Sequence, residues 1–138
     1  MRFMIIRKGD AETEAAVAPT RELAEAMMRY HEEMGRDLKI LGGDGLKPTS
    51  AGAKVKFRKG KPLVVDGPFT ETKEIVAGYT VVEADSLAHV LEWARRWPQI
   101  DGHGEVELEI RQLYELEDFG DAFSPELLEV ADRVLNRS

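Results

Sequence analysis

The chain has no cysteine, which removes disulfides, thiolate nucleophiles and cysteine-held metals from consideration. Histidine is almost as scarce. His31, His89 and His103 are the full set in 138 residues, and none stands at a metal-ligand spacing from another, which argues against a zinc site. Long apolar runs are missing too. No stretch approaches the ~20 apolar residues of a membrane span, and "MRFMIIRKGD" is too short an apolar run for a signal peptide, so the expected place is the cytoplasm and no membrane partner is expected. "GGDG", Gly42 to Gly45, lacks the Lys-Ser/Thr and the following helix of a phosphate loop, which argues against a nucleotide enzyme.

Acids are absent between Gly45 and Val65, where Lys47, Lys54, Lys56, Arg58, Lys59 and Lys61 supply six of the nineteen bases. The whole chain nevertheless carries a net charge of -7. A surface of that sign repels nucleic acid, and the basic segment holds one aromatic residue, Phe57, too few for a base-stacking platform. Lysines there read either as a site for phosphate or an acidic partner, or as protection of an exposed hairpin edge against aggregation.

What is present suits one soluble domain, with 43% hydrophobic and 33% charged residues. Such a length buries roughly two thirds of its unfolded surface. Arg2 to Lys8 reads as a strand, followed by a loop. Thr20 is placed to cap a helix whose stripe is Leu23, Met27, Tyr30 and Met34, running to about Gly35. Lys39 to Leu41 reads as a short strand, and Lys54 to Arg58 with Leu63 to Asp66 as a hairpin around "RKGKP". Ile75 to Glu83 is apolar enough to lie centrally in a sheet. Asp85-Ser86 caps a helix burying Leu87, Val90, Leu91 and Ala94. Glu105 to Leu116 alternates as a last strand, and Ser124-Pro125 opens a final helix with a Leu127, Leu128, Ala131, Val134 and Leu135 face. Leaving out the hairpin and the tail, the order is the βαββαβ of a ferredoxin-like α+β sheet, with both main helices on one face. The other face then needs a cover, and a homodimer is expected.

Three constellations could carry chemistry. Asp66, in "VVDGPFTETKE", can accept hydrogen bonds from backbone N–H groups of its own Gly-Pro turn, which alone accounts for these residues. Alternatively the turn sets Thr70, Glu71, Lys73 and Glu74 at a pocket mouth, where they orient a polar or anionic ligand. On the last strand Glu107, Glu109 and Arg111 share the face away from the helices. Enclosed by a dimer, Glu109 suits a general base and Arg111 an anion clamp; the bland reading is a salt bridge between them or with Arg7. Tyr79 either lines that space or is core with its hydroxyl satisfied at the edge. By helical phase His31 is placed half-exposed, His89 in solvent, and His103 in a loop.

The chain resembles the YCII-related family, and more closely its DGPF-domain branch. The resemblance rests on "VVDGPFTETKE" (Val64 to Glu74), "MRFMIIRKGD", "GGDGLKP", "AGYTVVEADSL", "EWARRWP" and "VELEIRQL". It implies a ferredoxin-like fold assembled as a dimeric α+β barrel; the ferredoxin-like domain is placed over residues 1–116, with 117–138 as a C-terminal helical extension of the same domain. Some relatives are associated with small-molecule chemistry, including dehydrochlorination, through a His–Asp pair; here His31 lies nearer the helix end than that pattern places it. The reading is a small-molecule-binding homodimer whose catalytic form is cofactor-independent acid–base chemistry at Glu109 and Asp66, with Arg111, Thr70, Glu71, Lys73 and Tyr79 binding a small polar or anionic ligand. The alternative is a non-catalytic regulatory or protein-interaction module.

Overall fold

The computed structural model describes residues 1–69 and 74–135. Six strands are seen: β1 (Arg2–Lys8), β2 (Lys39–Gly45), β3 (Ala53–Arg58), β4 (Lys61–Asp66), β5 (Val76–Glu83) and β6 (Leu108–Gln112). The helices are α1 (Ala11–Glu14), α2 (Arg21–Asp37), α3 (Leu87–Ala94) and α4 (Pro125–Leu135). Four strands pair antiparallel in the order β2-β5-β1-β6, while β3 and β4 form a separate two-stranded ribbon. This is an α+β fold with antiparallel sheets.

Pairing partners share a sheet face, so the register sorts the side chains. Phe3, Ile5 and Arg7 lie on the same face as Val82, Thr80 and Gly78 of β5 and Ile110 and Leu108 of β6. Phe3, Ile5, Val82 and Ile110 meet Tyr30, Met34 and Leu38 from α2 and its C-cap, and Val90 and Trp93 from α3. Phe3, Ile5, Met34, Val82 and Val90 are fully buried, each contributing about 1.5–3 kcal/mol. Two clasps join the helices: Tyr30 Oη donates to the Trp93 carbonyl at 2.6 Å, and Asp37 accepts from Trp93 Nε1 and His89 Nε2, both at 2.7 Å.

Several boundaries differ from expectation. The loop after β1 contains α1, because Asp10 and Thr13 form a reciprocal capping box. β2 runs on through the glycines to Gly45, since β5 offers partners down to Gly78. β6 is shorter than Glu105 to Leu116, because the ladder to β1 spans only Phe3 to Arg7. Gly102 and His103, both at positive φ, turn the chain immediately upstream. Leu87 is exposed, the buried face of α3 being Val90 and Trp93. In α4 only Ala131 is buried, while Leu127, Val134 and Leu135 are exposed. The hairpin turn at Lys59-Gly60 has both residues at positive φ, as a type I′ connection requires.

Candidate functional site

A cavity of about 660 Å³ lies between α2 and the β2–β5 side of the sheet. Its apolar wall is Met27, Met28, Ile40, Ala77 and Trp97, and its polar groups include Arg7, His31, Thr80 and Asp101. Gly45 and Gly78 face each other across the ladder. Nothing lies within 4 Å of where a Gly45 side chain would begin, so missing side chains make part of this space.

His31 is held in a defined tautomer. Its Nδ1 is 2.8 Å from the Met27 carbonyl, and a carbonyl only accepts, so Nδ1 carries the proton. Nε2 of the neutral ring is then an acceptor, 3.4 Å from Thr80 Oγ1. At that distance the hydroxyl is a weak partner, which a ligand O–H could replace. Thr80 and Asp101 are the buried polar residues among those described. Trp97 meets the His31 ring edge-on at 6.0 Å between centroids.

Trp97 is itself anchored, donating from Nε1 to Asp101 Oδ2 at 2.8 Å. Arg7 binds Asp101 in a two-point fork, Nε to Oδ2 at 3.2 Å and Nη2 to Oδ1 at 2.9 Å, and reaches Asp10 Oδ2 at 3.1 Å. Burial lowers the Arg7 pKa, but Asp101 and Asp10 outweigh it and the net shift is upward. The guanidinium is thus neutralised within the wall, and the cavity is a mainly apolar pocket rather than an anion trap.

Of the site residues singled out in the sequence, Tyr79 is among those lining this cavity, while the other described ones lie elsewhere. Glu109 and Arg111 are on the sheet face away from the helices, in register with Ile6 and Met4. Arg111 Nη1 is 3.4 Å from Glu109 Oε2, and Lys8 Nζ is 3.8 Å from Glu109 Oε1, so Arg7 is not their partner. Tyr79 is in the same row, its hydroxyl 3.2 Å from Asp44 Oδ2, and this hydrogen bond raises the tyrosine pKa. Asp66 ends β4, in the separate ribbon. The N–H groups of its turn go to other acceptors, Gly67 to the Gly52 carbonyl and Phe69 to Thr49 Oγ1, both at 3.0 Å. Thr49 is held in turn by Glu14. A side chain on Gly67 would overlap the Thr49 carbonyl, so close approach demands glycine there. Thr70, Glu71 and Lys73 lie outside the described residues. Phe69 and Glu74, on either side of them, line a second cavity of about 410 Å³ with Lys47, Thr49 and Lys54.

His89 is half-buried on Asp37 rather than free in solvent, and His103 pairs with Glu12 at 2.9 Å in an exposed loop. Sequence reasoning missed the cavity set of His31, Thr80, Trp97, Arg7 and Asp101. One signal was available: Arg7 continues the alternation of Phe3 and Ile5, and a charge in a core register calls for a buried acid.

The sequence profile of the YCII-related domain matches residues 1–114. The chain belongs to the YCII-related family. An uncharacterised protein of Rhizobium meliloti is 42% identical over 50 residues, covering 36% of this chain and 40% of that relative. The match thus spans less than half the length of the curated protein. The solved structure of 5-chloro-2-hydroxyhydroquinone dehydrochlorinase from Burkholderia phenoliruptrix, in complex with 2,5-dihydroxybenzoquinone, is 17% identical to this YCII-related chain. That alignment covers 86% of this chain and 98% of the other, with a TM-score of 0.45. Residues 115–135, which hold α4, lie beyond the YCII-related match. Among the described residues, no helix is long and apolar enough to cross a membrane.

Proposed function

We propose that the protein binds a small, flat, weakly acidic organic molecule in the α2–sheet cavity, with His31 as its proton acceptor. The observation that carries this reading is the His31 ring: Nδ1–H is tied to the Met27 carbonyl, so Nε2 presents its lone pair among Trp97, Thr80 and an apolar wall. A phenol or enol meets these demands. Its ring packs on Met27, Met28 and Trp97, and its hydroxyl gives a proton to Nε2, leaving an anion beside the imidazolium. Side chains alone carry the chemistry in this reading.

The test is a thermal-shift screen of substituted phenols and small carboxylates. A ligand at 100 times its Kd stabilises by about 2.7 kcal/mol, or about 9 °C for a chain of this length. The shift should vanish in His31→Leu and persist in Glu109→Gln and Arg111→Ala. A shift that survives His31→Leu overturns the reading.

A second reading places the ligand on the opposite sheet face. It is favoured by the row of Asp44, Tyr79, Ile6 and Glu109, with Arg111 one step along. In it the protein belongs to the DGPF branch, with a ferredoxin-like domain over 1–116 and a helical extension over 117–138. Two cytoplasmic copies join these faces into a barrel. Glu109 then serves as general base, with Asp66 as the second catalytic carboxylate, and Arg111, Tyr79 and the Thr70, Glu71 and Lys73 turn bind a small anion. Loss of the thermal shift in Arg111→Ala, with His31→Leu unaffected, selects this reading.

A further inference from the structure

Gly43 and Gly45 of β2 pair with Thr80 and Gly78 of β5, so they lie on the helix-side face of the sheet, where the α2 cavity is. The ladder itself accounts for two of these glycines. A Cβ on Gly43 would stand 2.7 Å from the Tyr79 carbonyl oxygen, and one on Gly78 3.2 Å from that of Asp44. Gly45 is different. It is not at positive φ, and nothing lies within 4 Å of where its Cβ would be. A strand position with that freedom favours a β-branched residue, and glycine there marks close approach by something else.

The rows of the sheet give the cavity its length. Thr80 with Gly43 is one row, and Gly78 with Gly45 the next, about 7 Å further along the strands. Thr80 is 8% exposed, and among the described residues its hydroxyl has only the 3.4 Å contact with His31 Nε2, so the first row is the end that handles a proton. Arg7 stands in the second row, its charge already met by Asp101 and Asp10. That end suits an uncharged group. A single ring with its hydroxyl at His31 leaves the second row empty, although the cavity, at about 660 Å³, is within the range of roughly 300–1,000 Å³ that takes larger ligands.

We propose that Gly45 sets the length of the ligand: the molecule is a phenol or enol carrying a second flat, uncharged group, an aryl ring or its equivalent, that lies over the Gly45–Gly78 backbone beside Arg7. In placing the hydroxyl at His31 this rests on the function proposed above. Peptide planes without side chains offer a flat surface, and a guanidinium already paired with carboxylates stacks on an aromatic face. Gly45 acts by leaving room, since any side chain there projects into the space of the second group.

Calorimetric titration of the whole chain with phenol and with 4-phenylphenol, which adds one ring para to the hydroxyl, tests this. Wild type should bind 4-phenylphenol at least about tenfold more tightly, from burial of the second ring. In Gly45→Val that preference should fall to about twofold or less, and in Gly45→Ala, which adds one methyl group, to an intermediate value. Circular dichroism checks that both fold. Gly42→Val is the control: its position is equally open, but in register with Val81 and Met4 on the opposite face, so the preference should remain. A wild type that binds neither probe or shows no preference, a preference undiminished in whichever Gly45 variant folds, or one lost equally in Gly42→Val overturns the proposal. His31→Leu separates it from the reading beneath it. Binding lost in His31→Leu, with a preference that Gly45→Val leaves intact, overturns the role of Gly45 alone; binding that survives His31→Leu, with a preference that depends on Gly45, overturns the role of His31 alone.

Discussion

Removing the Asp101 carboxylate should unfold the cavity wall from its anchor inward. In Asp101→Ala, Arg7 keeps only Asp10 and the Lys8 carbonyl, and the Trp97 indole N–H loses its acceptor. Both partners of the ion pair have side chains only 11% exposed, so the stranded guanidinium cannot simply rehydrate. Breaking a buried pair on one side costs about 3–5 kcal/mol. Asp10, at 39% exposure, compensates in part, which places the expected loss near the lower end, about 3 kcal/mol. Unfolding entropy of about 2.1 cal/mol/K per residue turns that into a fall in Tm of about 10 °C. Urea denaturation monitored by tryptophan fluorescence would read both the loss and its cooperativity. The double variant Arg7→Met/Asp101→Leu removes both charges, and should cost only about 1 kcal/mol, chiefly the orphaned indole N–H. A single variant within 1 kcal/mol of wild type, or a double variant as damaged as the single, would refute the claim that charge burial ties this wall together.

Two neighbouring glycines should respond in opposite ways. A Cβ on Gly43 would sit 2.7 Å from the Tyr79 carbonyl oxygen and 3.1 Å from Thr80 Cα, so Gly43→Ala should destabilise by about 1–3 kcal/mol, whereas Gly45→Ala, with nothing within 4 Å, should stay within about 0.5 kcal/mol; equal melting temperatures would contradict the strand register. The hydrogen bond to Asp37 raises the His89 pKa, and those from Trp93 and His89 lower that of Asp37. The His89 contribution is therefore complete below the unfolded histidine value of 6.5 and fades as pH rises through the elevated folded value, while that of Asp37 holds above 3.8 and fades as pH falls through its depressed one. The Tm gap between wild type and His89→Ala should accordingly be wider at pH 6 than at pH 9; a gap that widens with pH would reverse the assignment.

Local patterning was enough to determine the order of the elements apart from α1, because each of the longer strands and helices states its own period and its own stops. The alternation in β1, the Thr20 and Ser86 caps and the apolar run of β5 are contained in a few consecutive residues, and the strand pairing follows the order they imply. The same alternation put Glu109 and Arg111 on the face away from the helices. What only the tertiary structure decided is which distant residues meet. Arg7 and Asp101 are 94 positions apart, and His31 and Thr80 are 49 apart; neither pair leaves a periodic trace, since each depends on how α2 and the segment after α3 pack on the sheet. The extent of β2 and β6 was likewise set by partner strands, because a strand lasts as long as its neighbour supplies donors and acceptors. The glycines of β2 looked like a loop by composition, and only the pairing with β5 made them an edge strand, with open space where the Gly42 and Gly45 side chains would have been.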